Sequence, residues 1–450
     1  MLYFKRNGIC ANGVLALMLS KPEGIIMPES SSKLSPRSIL AASSGNVLEW
    51  YDFTVYGFLA PIIATQFFPS TDKLASTLSA FAVLAVGYAA RPIGSVIFGH
   101  IGDRIGRKPA LIISVLLMGA GSLAIATLPS YETLGVTAAL LLVLIRVVQG
   151  ISVAGEYTAS GVLLVEQANQ GSRARAGAWI AFAMMWGCVL GSAVPAGLNS
   201  LLTSEEMADW GWRLPFALGG AVAIFSAILR KNLTETLPAG SREEKGSPVW
   251  QSLKHHSGLI FQMVLLLIPT AVIYFVIYVY AVSYLSAEAE FSSANALDIT
   301  TANLIVMALF VPVCGWAADK FGLRPVFMAG AIGTLLLVWP CWWLMHQVSV
   351  PRVFLGQFGL TLASTAGWAL SITALTLMAP ARLRCSVVAL GYNICLAIFG
   401  GTTPLVATYL VNRTGDDYAP VYYVVVATLV SLPVIWRLPK LIRQAGNSLE

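Results

Sequence analysis

Charge is scarce in this sequence: 11% of its 450 residues are Asp, Glu, Lys or Arg, against 57% that are hydrophobic. A soluble domain carries roughly 25% charged residues, so the polar surface needed to wrap this chain in water is missing. A soluble enzyme, a disordered chain and a fibrous protein are excluded together. Cysteine offers no framework either. The six (Cys10, Cys188, Cys314, Cys341, Cys385, Cys395) form no CxxC pair, and several lie in apolar runs, as small buried hydrophobes do. There is no GxxxxGK[ST] phosphate loop, so ATP is not the energy source within this chain. No HExxH is present, and the four histidines lie in loops or at their edges, so neither metal nor cofactor is expected.

Long apolar runs fill the space the charges leave. Twelve stretches of bilayer-spanning length recur, at about 39–66, 77–99, 110–129, 136–165, 176–202, 214–229, 258–285, 297–317, 326–345, 352–379, 387–411 and 421–438. Lipid cannot satisfy backbone hydrogen bonds, so these read as helices of an all-α polytopic membrane protein. The 28 Lys and Arg sort by loop: 22 fall on one side, four on the other (Lys73, Arg213, Arg352, Arg413), and Arg91 and Arg146 sit in mid-span. The positive-inside rule places the basic side and both termini in the cytoplasm, expected here to be that of a bacterium. The formal net charge of +6 is thus a topology signal, and no nucleic-acid partner is expected. The opening 26 residues imitate a signal peptide weakly. Met27 opens the polar lead-in "MPESSSKLSPRS", and a true start there is expected in preference to a real extension or a cleaved signal.

"GHIGDRIGRKP" at 99–109 returns as "GWAADKFGLRP" at 315–325, with Gly99/Gly315, Asp103/Asp319, Arg104/Lys320, Gly106/Gly322, Lys108/Arg324 and Pro109/Pro325 in register. Arg173 and Arg175 after span four are echoed by Arg382 and Arg384 after span ten. The organisation expected is a tail (1–38), a six-helix half (39–229), a polar linker (230–257), a second six-helix half (258–438) and a short tail (439–450). Two repeated halves with a site between them are the plan of a transporter that rocks one half against the other.

Charges inside the membrane are costly and usually functional. Glu49 and Asp52 share a face of span one. Arg91 lies in span two, and Arg146, Gln149 and Glu156 share a face of span four, Arg146 and Glu156 differing by roughly 80° around the axis. The spans of the second half carry no mid-span charge. They offer Tyr274, Tyr278, Tyr280 and Tyr284, then Trp316, Trp368, Tyr392 and Asn393. A division of labour is expected. Glu49, Asp52 or Glu156 takes the proton, with Glu156 or Asp52 moving against Arg146. Gln149, Tyr274, Tyr278, Trp368, Tyr392 and Asn393 join Arg146 in binding an organic solute. The competing readings are structural: a buried pair among Glu49, Asp52 and Arg91, an ion pair between Arg146 and Glu156, and tyrosines that only pack.

The 99–109 loop matches the G-x-x-x-D-[RK]-x-G-R-[RK] pattern of the major facilitator superfamily. "SGNVLEWYDFTVYGF", "RPIGSVIFGHIGDRIGRK", "RVVQGISVAGEYTAS", "DWGWRLPF" and "GYNICLAIFGGTTPLVA" together resemble its metabolite:proton symporter family, which includes proline/betaine, α-ketoglutarate and citrate carriers. The resemblance implies the twelve-helix, two-repeat fold, the proton gradient as energy source, and a monomer whose partners are a small solute, a proton and lipid. It also implies a cytoplasmic gate, here Arg91, Asp103, Arg104, Arg107 and Lys108 with Asp319, Lys320 and Arg324. Leu323 replaces an arginine of the second loop, which weakens that contact. Ser192 stands where the drug antiporters of the superfamily carry proline, which favours symport. "GEYTAS" and "DYAPVYY" resemble proline/betaine carriers, whereas Arg146 stands where the organic-acid carriers have arginine. A zwitterion is the expected solute, with a di- or tricarboxylate as the alternative and a non-transporting sensor or membrane enzyme more distant.

Overall fold

The computed structural model describes residues 35–70, 73–237, 247–281, 284–285, 293–347 and 349–447. The choice between Met1 and Met27 lies outside them.

Helix α1 (Pro36–Phe58, continued as Ala60–Phe67) starts at Ser35, whose hydroxyl accepts the Ser38 N–H at 3.1 Å, with proline at the first helical position. Helix α2 comes in two pieces, Lys73–Ala89 and Arg91–Arg104. Then follow α3 (Arg107–Thr127), α4 (Val136–Gln167), α5 (Arg173–Leu201) and α6 (Arg213–Arg230). The second half holds α7 (Pro248–Phe275, running into a π-helical turn at Val276–Tyr280), α8 (Ser293–Phe321), α9 (Leu323–Met345) and α10 (Val350–Met378). It ends with α11 (Arg384–Cys395, a π turn at Leu396–Gly400, then Thr403–Thr414) and α12 (Ala419–Gln444). Helix α7 begins at Pro248, inside the stretch expected to be linker, and bends at His256 (φ −125°, ψ 17°).

Eleven of these helices are long and apolar enough on their own to cross a membrane. The first is not, because Ser43, Ser44, Asn46, Glu49 and Asp52 lie inside it, all buried. Neighbouring helices, rather than lipid, surround its polar groups. Glycines permit that enclosure. A Cβ on Gly187 of α5 would lie 2.5 Å from the Val47 carbonyl, and one on Gly191 2.6 Å from Thr54.

Within the first half α1 packs on α5 and α6, and α3 on α4 and α6; within the second, α10 lies against α8 and α9, and α7 against α11 and α12. The halves meet where α2 packs on α11 and α5 on α8, pairings related by the repeat, with α10 also against α4 and α5. Gly106 (φ 143°) and Gly322 (φ 92°) open α3 and α9 in backbone conformations that L side chains rarely adopt, which accounts for one matched glycine of the repeat.

Candidate functional site

Apart from the Asp103–Arg107 pair at the basic end, three carboxylate–arginine pairs are buried among the described residues of the first half, and they differ in how well each is satisfied. Asp52 accepts Arg146 Nη1 at 2.7 Å and Gln149 Nε2 at 3.2 Å on Oδ2, and the Ser122 hydroxyl at 2.5 Å on Oδ1. The Arg146 guanidinium lies 3.9 Å from the Tyr56 ring centroid, with Phe53 and Phe216 at 5.7 and 6.0 Å. Glu156 is held by Arg230 through both oxygens, the Nη1–Oε2 bond at 2.9 Å, and accepts the Ser114 hydroxyl at 3.0 Å. Arg230 spends its remaining donors on the carbonyls of Ala41, Ala42 and Leu111, so one side chain ties α1, α3, α4 and α6. A Cβ at Gly45 would run into this pair.

The third pair is different. Glu49 and Arg91 approach to 3.5 Å, each 1% exposed, and neither carboxylate oxygen nor any of the three guanidinium nitrogens has a hydrogen-bond partner. Aromatic rings surround Arg91: Tyr88 at 4.6 Å, Phe53 at 5.2 Å and Trp50 at 5.9 Å. Trp50 reaches the second half, its ring 6.4 Å from Trp368 and 6.5 Å from Tyr274, which lie 5.3 Å apart. Neither indole N–H has a partner. Tyr392 stacks on Tyr157 at 4.5 Å with its own hydroxyl unpartnered, while the Tyr157 hydroxyl meets Ser371 at 3.3 Å. Asn393 donates to the Ala154 carbonyl at 3.2 Å and leaves its oxygen free. Buried polar groups are normally paired, so this many orphans between the halves single the cluster out as the candidate site.

Below this cluster the halves close over one another at the basic end. Ser95 donates to the Ala389 carbonyl at 3.2 Å. A Cβ on Gly99 would lie 2.9 Å from the Ser386 backbone, and one on Gly102 2.9 Å from Cys385. Asp103 then accepts the backbone N–H groups of Cys385 and Ser386, at 3.0 and 2.8 Å, at the first turn of α11. Its repeat mate Asp319 does the same to α5, accepting Ala174 and Arg175 N–H at 2.8 and 3.2 Å and the Arg175 side chain at 2.7 Å. Each half therefore caps a helix of the other with an anion, where orphan N–H groups and the helix dipole favour one. Arg107 lies 3.4 Å from both Asp103 and Glu166, and Arg384 donates to Glu166 at 2.8 Å.

Several expected residues sit elsewhere. Arg146 does not pair with Glu156: ten residues separate them, about 15 Å of helix rise, so a shared face does not bring them together. Arg146 and Gln149 meet Asp52 inside the first bundle instead of facing the second half. Arg91 lies 13 residues, about 20 Å, above the end of α2, which removes it from the loop charges and sets it beside Glu49. Tyr278 turns into the second half, its hydroxyl 2.7 Å from Thr361. Trp316 is 48% exposed on the outside of the bundle, with the Lys320 ammonium 5.2 Å from its ring, and Arg324 stacks on Trp436 at 4.5 Å. Lys108 donates to the Lys231 carbonyl within the first half, and Arg104 ends α2 half-buried. Sequence reading missed Arg230, counted with the loops, and Trp50, Tyr88 and Tyr157. The one signal for Trp50 is its place between Glu49 and Asp52.

Residues 38–238 match the family model "Sugar (and other) transporter", and residues 274–448 match "Major Facilitator Superfamily". The glycine betaine/proline/ectoine/pipecolic acid transporter OusA of Dickeya dadantii is 32% identical over 409 residues, covering 88% of this chain and 81% of its own length. The proline/betaine transporter of Escherichia coli K12 is 32% identical over 416 residues, covering 88% and 82%. Among solved structures, the proton:xylose symporter XylE bound to 6-bromo-6-deoxy-D-glucose superposes with a TM-score of 0.74 at 17% identity, over 90% of this chain and 95% of that one. The human organic anion transporter MFSD10 gives 0.64 at 19%, over 89% and 99%. The chain, a transporter of two six-helix repeats, belongs to the major facilitator superfamily and within it to the metabolite:proton symporter family.

Proposed function

We propose that the chain imports a proline- or glycine betaine-type zwitterion together with protons, by alternating access, across the inner membrane of a bacterium. Both termini and the basic end face the cytoplasm. The observation that carries the reading is the unsatisfied Glu49–Arg91 pair beside Trp50, Tyr274 and Trp368. A solute carboxylate supplies the acceptors that the Arg91 guanidinium lacks, in the forked geometry that suits the two groups. A secondary or quaternary ammonium a few ångströms away rests against the indole and phenol faces. A dicarboxylate calls for a second cation, and Arg146 and Arg230 are already engaged by Asp52 and Glu156. Arginine at position 146 therefore gives the organic-acid reading no support. The names of the relatives agree with the zwitterion.

The basic end is closed in this structure, and the aromatic cluster with Glu49 and Arg91, each 1% exposed, is shut off from solvent. Rocking the halves would break the Asp103 and Asp319 caps together and open the aromatic cluster to the cytoplasm. The test uses purified protein in proteoliposomes with a pH-sensitive dye inside. Proline or glycine betaine is expected to acidify the lumen, with α-ketoglutarate and citrate silent. Acidification by the carboxylic acids alone would overturn the substrate class.

A further inference from the structure

We propose that Glu49 is the residue that takes the coupled proton, and that the solute drives the uptake by displacing Glu49 from Arg91. The inference rests on the zwitterion reading above.

The three buried carboxylates offer a comparison within one bundle. Asp52 accepts three hydrogen bonds, from the Arg146 guanidinium, the Gln149 amide N–H and the Ser122 hydroxyl, and Glu156 is gripped at both oxygens by a guanidinium and at one by a hydroxyl. Both carboxylates are thus already engaged by donors of their own bundle. Both pairs are also enclosed within the first half, where a solute lying between the halves meets neither. Glu49 has no donor on either oxygen and a single countercharge at 3.5 Å. That countercharge is the one the solute's carboxylate would take. The titratable groups that surround Glu49 are Arg91 and Tyr88 from α2, Glu156 and Tyr157 from α4, Cys188 from α5 and Tyr392 from α11. Among these Arg91 is the sole cation, so losing it leaves Glu49 with neutral groups and one further anion.

The exchange then balances. In the empty site the Glu49 carboxylate and the Arg91 guanidinium neutralise each other, and a neutral pair can cross the cycle without a proton. Entering from outside, the solute carboxylate forms two N–H···O bonds to Arg91, and its ammonium rests on the rings of Trp50, Tyr274 and Trp368. Glu49, stripped of its counter-ion away from water, accepts one proton from the external solution and becomes a carboxylic acid. On the cytoplasmic side the acid gives the proton to water, the carboxylate returns to Arg91, and the solute is expelled. One positive charge moves inward with each zwitterion. Binding and proton uptake are thus one linked equilibrium, so above the titration of Glu49 the wild-type Kd rises tenfold per pH unit.

Glu49→Gln removes the competitor for Arg91. In this variant glycine betaine is expected to bind more tightly than in the wild type, with a Kd flat from pH 6 to 9, to exchange across the membrane, and to show no uphill accumulation and no solute-induced current. The control is Glu156→Gln, which alters a pair inside the bundle and should keep the solute-induced proton uptake. Titrating detergent-solubilised protein with glycine betaine at several pH values, in two buffers of different ionisation enthalpy, reads Kd and protons bound together. Proton uptake by Glu49→Gln equal to wild type would overturn the assignment while leaving the substrate class intact. Loss of binding in Glu49→Gln would overturn it too, since Glu49 would then hold the solute's ammonium as an anion. Wild-type protein that binds neither proline nor glycine betaine would overturn the substrate class, and the assignment with it.

Discussion

Asp103→Asn isolates the closure of the cytoplasmic end. With the basic end closed, both carboxylate oxygens of Asp103 accept backbone N–H groups at the start of α11, at 3.0 and 2.8 Å, and the residue is 1% exposed. These bonds cross between the halves, so they exist in one conformation and are absent from the other. An amide retains one acceptor oxygen and loses the charge. The lost cap hydrogen bond and the lost interaction with the helix dipole are each worth roughly 1 kcal/mol. A differential of about 2 kcal/mol shifts the conformational ratio about 30-fold toward the cytoplasm-open form. The protein carries its own reporter, Cys385, which is 2% exposed and lies under Gly102 in the closed form. In inside-out vesicles, alkylation of Cys385 by a membrane-impermeant maleimide, followed by peptide mass spectrometry, reads the open population. The rate should rise about 30-fold in Asp103→Asn and fall back when external solute stabilises the outward form. A rate equal to wild type in folded protein would refute the claim that the Asp103 cap holds this end shut.

Two further expectations concern the interior and the solute. Glu156→Gln leaves the fully buried Arg230 without its countercharge, a loss of roughly 3 kcal/mol, visible as a lowered unfolding midpoint, while proton-driven accumulation per folded molecule persists. Accumulation lost at unchanged stability would return Glu156 to a coupling role. Trp368→Leu removes one aromatic face from the cluster, at about 0.5–2 kcal/mol of cation–π attraction, or roughly 2- to 30-fold in apparent affinity. Competition uptake should show glycine betaine weakened more than solutes with a primary ammonium, and equal losses for both would argue that Trp368 only packs.

Fold and site were legible in the sequence to different depths, for physical reasons. Span length and the 99–109/315–325 repeat depend on composition and spacing alone, and both fixed the architecture. The first helix was counted at 39–66 among the apolar stretches, although its polar groups leave it too polar to pass as a membrane span by itself. Mid-membrane charges were legible because they are rare; their partners were not. Angle around a helix is easy to count, but Arg146 and Glu156 needed the axial rise as well. The pairings of Asp52 with Arg146 and Glu156 with Arg230 depend on how α1, α4 and α6 rotate against each other, which no local pattern encodes. Arg230 is the last residue of α6, and a run of loop residues after it made it look exposed. Arg91 was grouped with the gate as near the cytoplasmic half of its span, and the 13 residues of helix that follow it were left out of that count. Trp50, Tyr88 and Tyr157 resemble packing residues until the second half is set against them.

The two aspartate caps grip backbone, and this decides which kinds of sequence change the closed end withstands. Cys385, Ser386, Ala174 and Arg175 supply main-chain N–H groups that almost any replacement other than proline would also supply, so apart from the Arg175 guanidinium on Asp319 this face of each lock is blind to side-chain identity. What each lock reads is the position at which a helix begins. Adding or deleting one residue ahead of α11 or α5 turns those N–H groups by about 100°. Indels at these two junctions should therefore be purged while substitutions drift, with the intolerance to substitution gathered on Asp103 and Asp319.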